Sequence, residues 1–150
     1  GVYDVLGLGY NFRMTDFQAA LGVGQVERYR ENLKIRQTNA KLYCKLLSNS
    51  KYMEFPEYTE GNSYFLFQIL IKPPLSRDEI LVKLKEADIG VSIHYAMPVP
   101  LMSYYRAKYG YGQKDFPNAV RFSNEIISLP VHSKLSKGDI SYIVNEIRKI

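Results

Sequence analysis

The feature that most constrains this chain is a helical stripe too long for the domain that carries it. From Thr15 to about Ser48 the residues read as helix, and Val26, Leu33, Ala40 and Leu47 recur every seven positions, with Tyr29 and Tyr43 filling the gaps between them. Thr15 or Asp16 can accept from free amides of the first turn. At 1.5 Å per residue the segment would extend roughly 50 Å, whereas a compact chain of this length has a radius of gyration of about 15 Å. Something outside the domain is therefore expected to cover part of the stripe. Gly22 and Gly24 interrupt it early. Each costs about 1 kcal/mol relative to Ala inside a helix, so a kink or break is expected near Gly24.

The remaining sequence alternates between strand and helix signals. After a loop marked by Pro56, Gly61 and Asn62, the aromatic and β-branched run Tyr64 to Ile71 predicts a strand that Pro73 and Pro74 end. Ser76 and Glu79 form a capping-box pattern ahead of a helix whose apolar face is Ile80, Leu81, Leu84 and Ala87. Gly90 stops it, and Val91 to His94 predicts a second strand. Residues 95 to 115 read as a long loop. Pro117 can open a helix to Ile126, Ile127 to Val131 predicts a short strand, and Ser136 with Asp139 caps a last helix bearing Ile140, Ile143, Val144 and Ile147. The order implies an α/β (α+β) two-layer sandwich, a small mixed or antiparallel sheet with helices on one face.

Composition narrows the function classes. With 46% hydrophobic and 23% charged residues, the 150-residue chain can hold a core without disulfide or metal staples. Cys44, the only cysteine, reads as a buried bystander in a reducing compartment. No apolar run approaches the roughly 20 residues that span a bilayer, so a cytoplasmic location with no membrane partner is expected. Twenty basic against fifteen acidic residues give a net charge of +5, but acids interleave with bases along the helices. The tyrosine-rich basic stretch of Tyr104, Tyr105, Arg106, Lys108, Tyr109 and Tyr111 could stack bases, yet no ribonucleoprotein aromatic motif or dense basic stripe accompanies it, and no nucleic-acid partner is expected. Gly7-Leu8-Gly9 and Gly22-Val23-Gly24 lack the third glycine of a dinucleotide fingerprint. His94 and His132 lie in no metal-ligand pattern, and no metal is expected.

The opening segment places Tyr10, Asn11 and Arg13 on a glycine-flexible loop just before a helix N-terminus, where amide, phenol and guanidinium can meet a phosphate or carboxylate. Taken alone, the same residues also suit an exposed helix cap. "GYNFRMTDFQAALG" closely resembles a segment of the DegT/StrS family of pyridoxal-phosphate-dependent sugar aminotransferases. "IGVSIHYAMPVPLMSYYR" and "DFPNAVRFSNEIISLPVHSKLS" resemble two further blocks of that family, in the same order and spacing.

The resemblance implies a fold type I aminotransferase, in which a large N-terminal domain holds pyridoxal 5'-phosphate and a C-terminal α/β small domain closes over it. Residues 1–24 would be an interface loop and first helix at the large-domain junction, and residues 25–150 the small domain. Asn11, with Arg13 and Tyr10, would contact cofactor across a homodimer interface, and His94 and Tyr95 would contact a nucleotide-sugar substrate. No residue of this chain matches the family's Schiff-base lysine, so no catalytic residue is assigned and the chain alone is expected to be inactive. The complete enzyme would move an amino group from an amino acid, with glutamate the expected donor, to a nucleotide-linked keto sugar. The alternative is a stand-alone, non-catalytic binding or dimerisation module of the same fold. Ala96 and Pro100 stand where many members carry Pro and a second His, which removes that His from any substrate role. His132 reads as structural.

An apolar stripe left uncovered predicts self-association of the 150-residue chain. Light scattering over a wide concentration range should show dimers or larger species; a clean monomer throughout would contradict this.

Overall fold

A computed structural model describes residues 7–10 and 12–149. Two compact units meet between Glu31 and Asn32. Helix α1 (Asp16–Leu47) begins in the first and ends in the second. The second unit continues with strands β1 (Met53–Glu54) and β2 (Phe67–Ile71), helices α2 (Arg77–Glu86), α3 (Ser103–Tyr109) and α4 (Pro117–Glu125), strand β3 (Ile126–Leu129) and helix α5 (Lys137–Arg148).

Helix α1 starts where the sequence indicates. The Gln18 amide donates to the Thr15 hydroxyl oxygen at 3.3 Å, and the Thr15 amide donates back to Gln18 Oε1 at 3.0 Å, a reciprocal capping box. The expected break near Gly24 is absent: α1 is one continuous helix. Both glycines keep a right-handed helical backbone, no close approach of another chain segment demands them, and the helix simply carries their entropic cost. Along α1 the heptad stripe changes environment: Val26 is 74% exposed, whereas Ala40 and Leu47 are fully buried. The apolar residues of the first unit, Phe17, Leu21, Val26 and Tyr29 among them, are uncovered in this chain.

The sheet is antiparallel in the order β1-β2-β3, with Phe67 opposite Leu129, Gln68 opposite Ser128, Ile69 opposite Ile127 and Leu70 opposite Ile126. Opposed residues share a face and successive residues alternate. Phe67, Ile69, Ile71, Ile127 and Leu129 therefore point to one side, where they join Ala40, Tyr43 and Leu47 of α1, Ile80 and Leu84 of α2, and Ile140, Ile143, Val144 and Ile147 of α5 in one buried core. These three helices form the layer over the sheet that the alternation of elements implied. Gln68, Leu70, Ile126 and Ser128 point to the other side, which α4 approaches.

Besides strand β1, which no sequence signal announced, and β3, which runs Ile126–Leu129 rather than Ile127 to Val131, three segments differ from the sequence expectation. The strand expected at Tyr64 starts at Phe67, because the Tyr64 amide donates to Asn62 Oδ1 at 2.8 Å in a tight turn and Tyr64 sits at a positive φ of 46°. Val91 to His94 is reduced to a single antiparallel bridge, Ser92 with Ser128, since Gln68 donates to the His94 carbonyl through its side chain and no further ladder forms. The loop expected over 95 to 115 contains α3 and two short 3-10 turns. No side chain caps the start of α3, which left it without a sequence signal, and Gly110 at φ 71° closes it in the left-handed region. Cys44 is half-buried against the core edge, and burial pushes its thiol up.

Helix α5 opens with Ser136 and Asp139 in a reciprocal box: the Ser136 amide donates to Asp139 Oδ2 at 2.8 Å and the Asp139 amide donates to Ser136 Oγ at 3.1 Å. The Ser136 backbone amide, and then its hydroxyl, hold the Asp139 carboxyl below its usual range. A depressed folded value means that this contribution is present above the ordinary Asp value of about 3.9 and is lost as pH falls through the folded value. Ser136→Ala should cost about 1 kcal/mol in urea unfolding at neutral pH. Asp139→Asn should flatten the loss of stability on the acid side; parallel pH profiles for wild type and variant would refute the assignment.

Candidate functional site

Strand register builds one of the two candidate regions. Gln68 on β2, Ser128 on β3 and Ser92 at the bridge lie in one row across the sheet, so their side chains emerge on the same face. His94 lies over this row. Its Nδ1 is 3.0 Å from Ser128 Oγ and 3.2 Å from Ser92 Oγ, and its carbonyl accepts from Gln68 Nε2 at 2.9 Å. The Ser92 and Ser128 backbones exchange two hydrogen bonds, of 3.2 and 2.8 Å, which fix both hydroxyls relative to the sheet. Ser128 is 3% exposed.

The Tyr95 ring meets the His94 ring edge-on at 5.4 Å and is itself well exposed. Both residues line an open groove of about 430 Å³ whose other walls include Met97, Met102 and Phe122. A second hollow of about 400 Å³ shares Met97, Pro98 and Ser123 with it and adds Arg106, Gln113 and Asn124. The arrangement offers one imidazole and one phenol above a largely apolar floor, with a cationic group beyond, a combination suited to an amphipathic ligand with hydrogen-bonding oxygens.

Sequence reasoning picked out His94 and Tyr95 but not the groups that hold them. Ser128 carried a usable signal, a lone polar residue within the apolar run of β3; Gln68 carried the same signal in β2.

The other expected contacts belong to the first unit. Tyr10 is 86% exposed with its ring 5.8 Å from Phe12, and Arg13 is exposed two residues before the Thr15 cap. Asn11 lies outside the described residues. A guanidinium and a phenol are both donors suited to phosphate oxygens, so this donor set fits the phosphate group of pyridoxal phosphate.

A roomier hollow, about 530 Å³, lies between the end of α2 and α5, but its polar groups serve the fold. Tyr142 donates to the Ala87 carbonyl, and His132 Nδ1 accepts from the Lys134 amide while its carbonyl accepts from Asn39. The tyrosines of α3 and the following turn pack on one another, with Tyr109 stacked on Tyr111 at 5.4 Å and Lys108 over Tyr104 and Tyr109. Among the described residues, no three His, Cys, Asp or Glu side chains are grouped to hold a metal ion, and no helix is long and apolar enough to cross a membrane.

This architecture is shared with pyridoxal-phosphate aminotransferases. Spr1654 of Streptococcus pneumoniae, assigned as a sugar aminotransferase and solved in apo, PLP and PMP forms, superposes with a TM-score of 0.85 at 28% identity over 99% of this chain and 38% of its own. Helicobacter pylori PseC, an aminotransferase involved in the biosynthesis of pseudoaminic acid, matches with a TM-score of 0.85 and 25% identity over 97% of this chain and 40% of its own. The profile of the DegT/DnrJ/EryC1/StrS aminotransferase family matches residues 2–148, and the chain belongs to that family. In sequence it is 28% identical, over 98% of its length, to the UDP-4-amino-4,6-dideoxy-N-acetyl-beta-L-altrosamine transaminase of Campylobacter jejuni. The chain spans about two fifths of the length of the relatives it matches.

Gln68→Leu should leave the His94 carbonyl without its donor, costing about 1–2 kcal/mol in chemical denaturation and raising amide exchange around Tyr95. Unchanged stability and exchange would show that water replaces the amide at no cost.

Proposed function

We propose that these residues work as the C-terminal part of a PLP-dependent aminotransferase that moves an amino group from an amino acid, glutamate in our reading, to a keto sugar carried on a nucleotide. The observation that carries this reading is the family match over residues 2–148, a span that corresponds to only two fifths of each relative. The Schiff-base lysine would then be supplied by the rest of the polypeptide. When bound, PLP supplies the electron sink for the amino transfer.

The roles of this chain's own residues follow from their chemistry. Asn11, Arg13 and Tyr10 hold the cofactor phosphate of the neighbouring subunit in a homodimer, Arg13 as a planar cationic fork and Tyr10 as a phenol donor. Residues 1–24 form the junction with the large domain, and residues 25–150 the small domain. His94 and Tyr95 bind sugar or diphosphate oxygens of the substrate, while Met97, Met102 and Phe122 exclude water from its apolar side. The uncovered apolar residues of the first unit support contact with further protein, and the location proposed is the cytoplasm.

The test uses the complete polypeptide that contains this chain. Asn11→Ala and Arg13→Ala should each weaken PLP retention by about tenfold or more, since a charge-assisted hydrogen bond contributes about 1.5–3 kcal/mol. Cofactor content is read by absorbance after dialysis, alongside turnover with glutamate and a nucleotide-linked keto sugar. Unchanged retention and turnover in both variants would remove these residues from the cofactor site.

A further inference from the structure

The hydrogen bonds under His94 determine which of its ring nitrogens carries the proton. Nδ1 meets two hydroxyls, Ser128 at 3.0 Å and Ser92 at 3.2 Å, while Nε2 has no protein partner among the described residues. The serines differ in what they require. Ser92 is exposed, so water can satisfy its hydroxyl; Ser128 is buried, and His94 Nδ1 is the one partner of its hydroxyl among the described residues. If Nδ1 carried a proton it would donate to Ser128, and the buried Ser128 hydroxyl proton would have no acceptor, a costly arrangement. If Nδ1 is bare it accepts that proton, and both groups are satisfied at once. The network thus selects a ring protonated at Nε2.

We infer that Ser128 is a positioning residue that locks His94 in its Nε2–H tautomer, so that the groove presents a hydrogen-bond donor and favours a ligand group offering an oxygen acceptor. The inference deepens the proposed function, resting on its reading of His94 as a substrate-facing residue, and it names the chemistry of the recognised atom: a sugar hydroxyl, a carbonyl or a phosphate oxygen, rather than an N–H donor. The backbone bridge between Ser92 and Ser128 makes the device rigid, because the hydroxyl that holds the ring stands on a fully buried strand. The row formed with Gln68 adds a second restraint at the His94 carbonyl.

The experiment is a nitrogen-15 correlation spectrum of the histidine rings in the labelled complete polypeptide that contains this chain, at about pH 8.5, where an ordinary imidazole is neutral. A His94→Asn variant assigns the His94 signals by their loss. The expected spectrum shows a bare Nδ1 and a protonated Nε2. Ser128→Ala should lower the Nε2–H to Nδ1–H ratio about fivefold, the effect of one hydrogen bond of ordinary strength, and Ser128→Thr, which keeps the hydroxyl, should restore it. A ring protonated mainly at Nδ1, or a ratio unmoved by Ser128→Ala, overturns the inference. Should Ser128→Ala fail to fold, the wild-type tautomer decides by itself. The measurement involves neither cofactor nor substrate, so its failure leaves the aminotransferase reading standing, and failure of amino transfer with the expected tautomer would remove that reading alone.

Discussion

The stacking of Tyr43 on Phe67 joins helix α1 to the sheet, and the second unit is arranged around it. Their rings lie 4.8 Å apart at 21°, both fully buried, and the Tyr43 hydroxyl donates to the Pro130 carbonyl at 2.9 Å just after β3. Such a pair contributes about 0.5–1.5 kcal/mol beyond its area, and here it also fixes geometry. Burial, with Asp139's charge adding to it, pushes the phenol above its ordinary range, so it stays a neutral donor. One residue thereby ties α1 to β2 through its ring and to the end of β3 through its oxygen.

With α1, α2 and α5 committed to one side of the sheet, the alternation of strand residues leaves the other side to line the groove. Apolar residues at 67, 69, 71, 127 and 129 fill the core, and the intervening positions supply Gln68 and Ser128 beneath His94. A one-residue slip between β2 and β3 would send those polar groups into the core, so the same burial that stabilises the sheet also sets the groove's register. The exposed ion pairs, such as Glu54 with Lys72 and Arg121, hold the sheet's outer edge and contribute little to this arrangement.

Helix caps and core faces were legible in the sequence because their signals are local. Thr15, Ser76 with Glu79 and Ser136 with Asp139 each mark a start, and the structure shows hydrogen bonds at all three, Gln18 proving to be the partner of Thr15. Glycine was less legible: Gly22 and Gly24 weaken a helix by amounts that the continuous ladder tolerates. The bridge at Ser92 and the short helix Ser103–Tyr109 depend on long-range pairing and on a left-handed Gly110, neither of which a hydrophobic period reveals. In the candidate site, the resemblance drew attention to His94 and Tyr95, whereas Ser128 and Gln68 acquire meaning only when register brings them together from positions 60 residues apart.

The central claim, that this chain completes an enzyme transferring nitrogen to a nucleotide-linked keto sugar, is tested most directly by following the atom itself. The complete polypeptide, supplied with PLP, nitrogen-15 glutamate and a nucleotide-linked keto sugar, is predicted to yield an amino sugar that carries the label, read by mass spectrometry, with label lost from glutamate in equal amount. An active preparation that leaves all label on glutamate across nucleotide-linked keto sugars while aminating another class of ketone would contradict the substrate reading, and no transfer to any ketone by a protein loaded with PLP would contradict the claim as a whole.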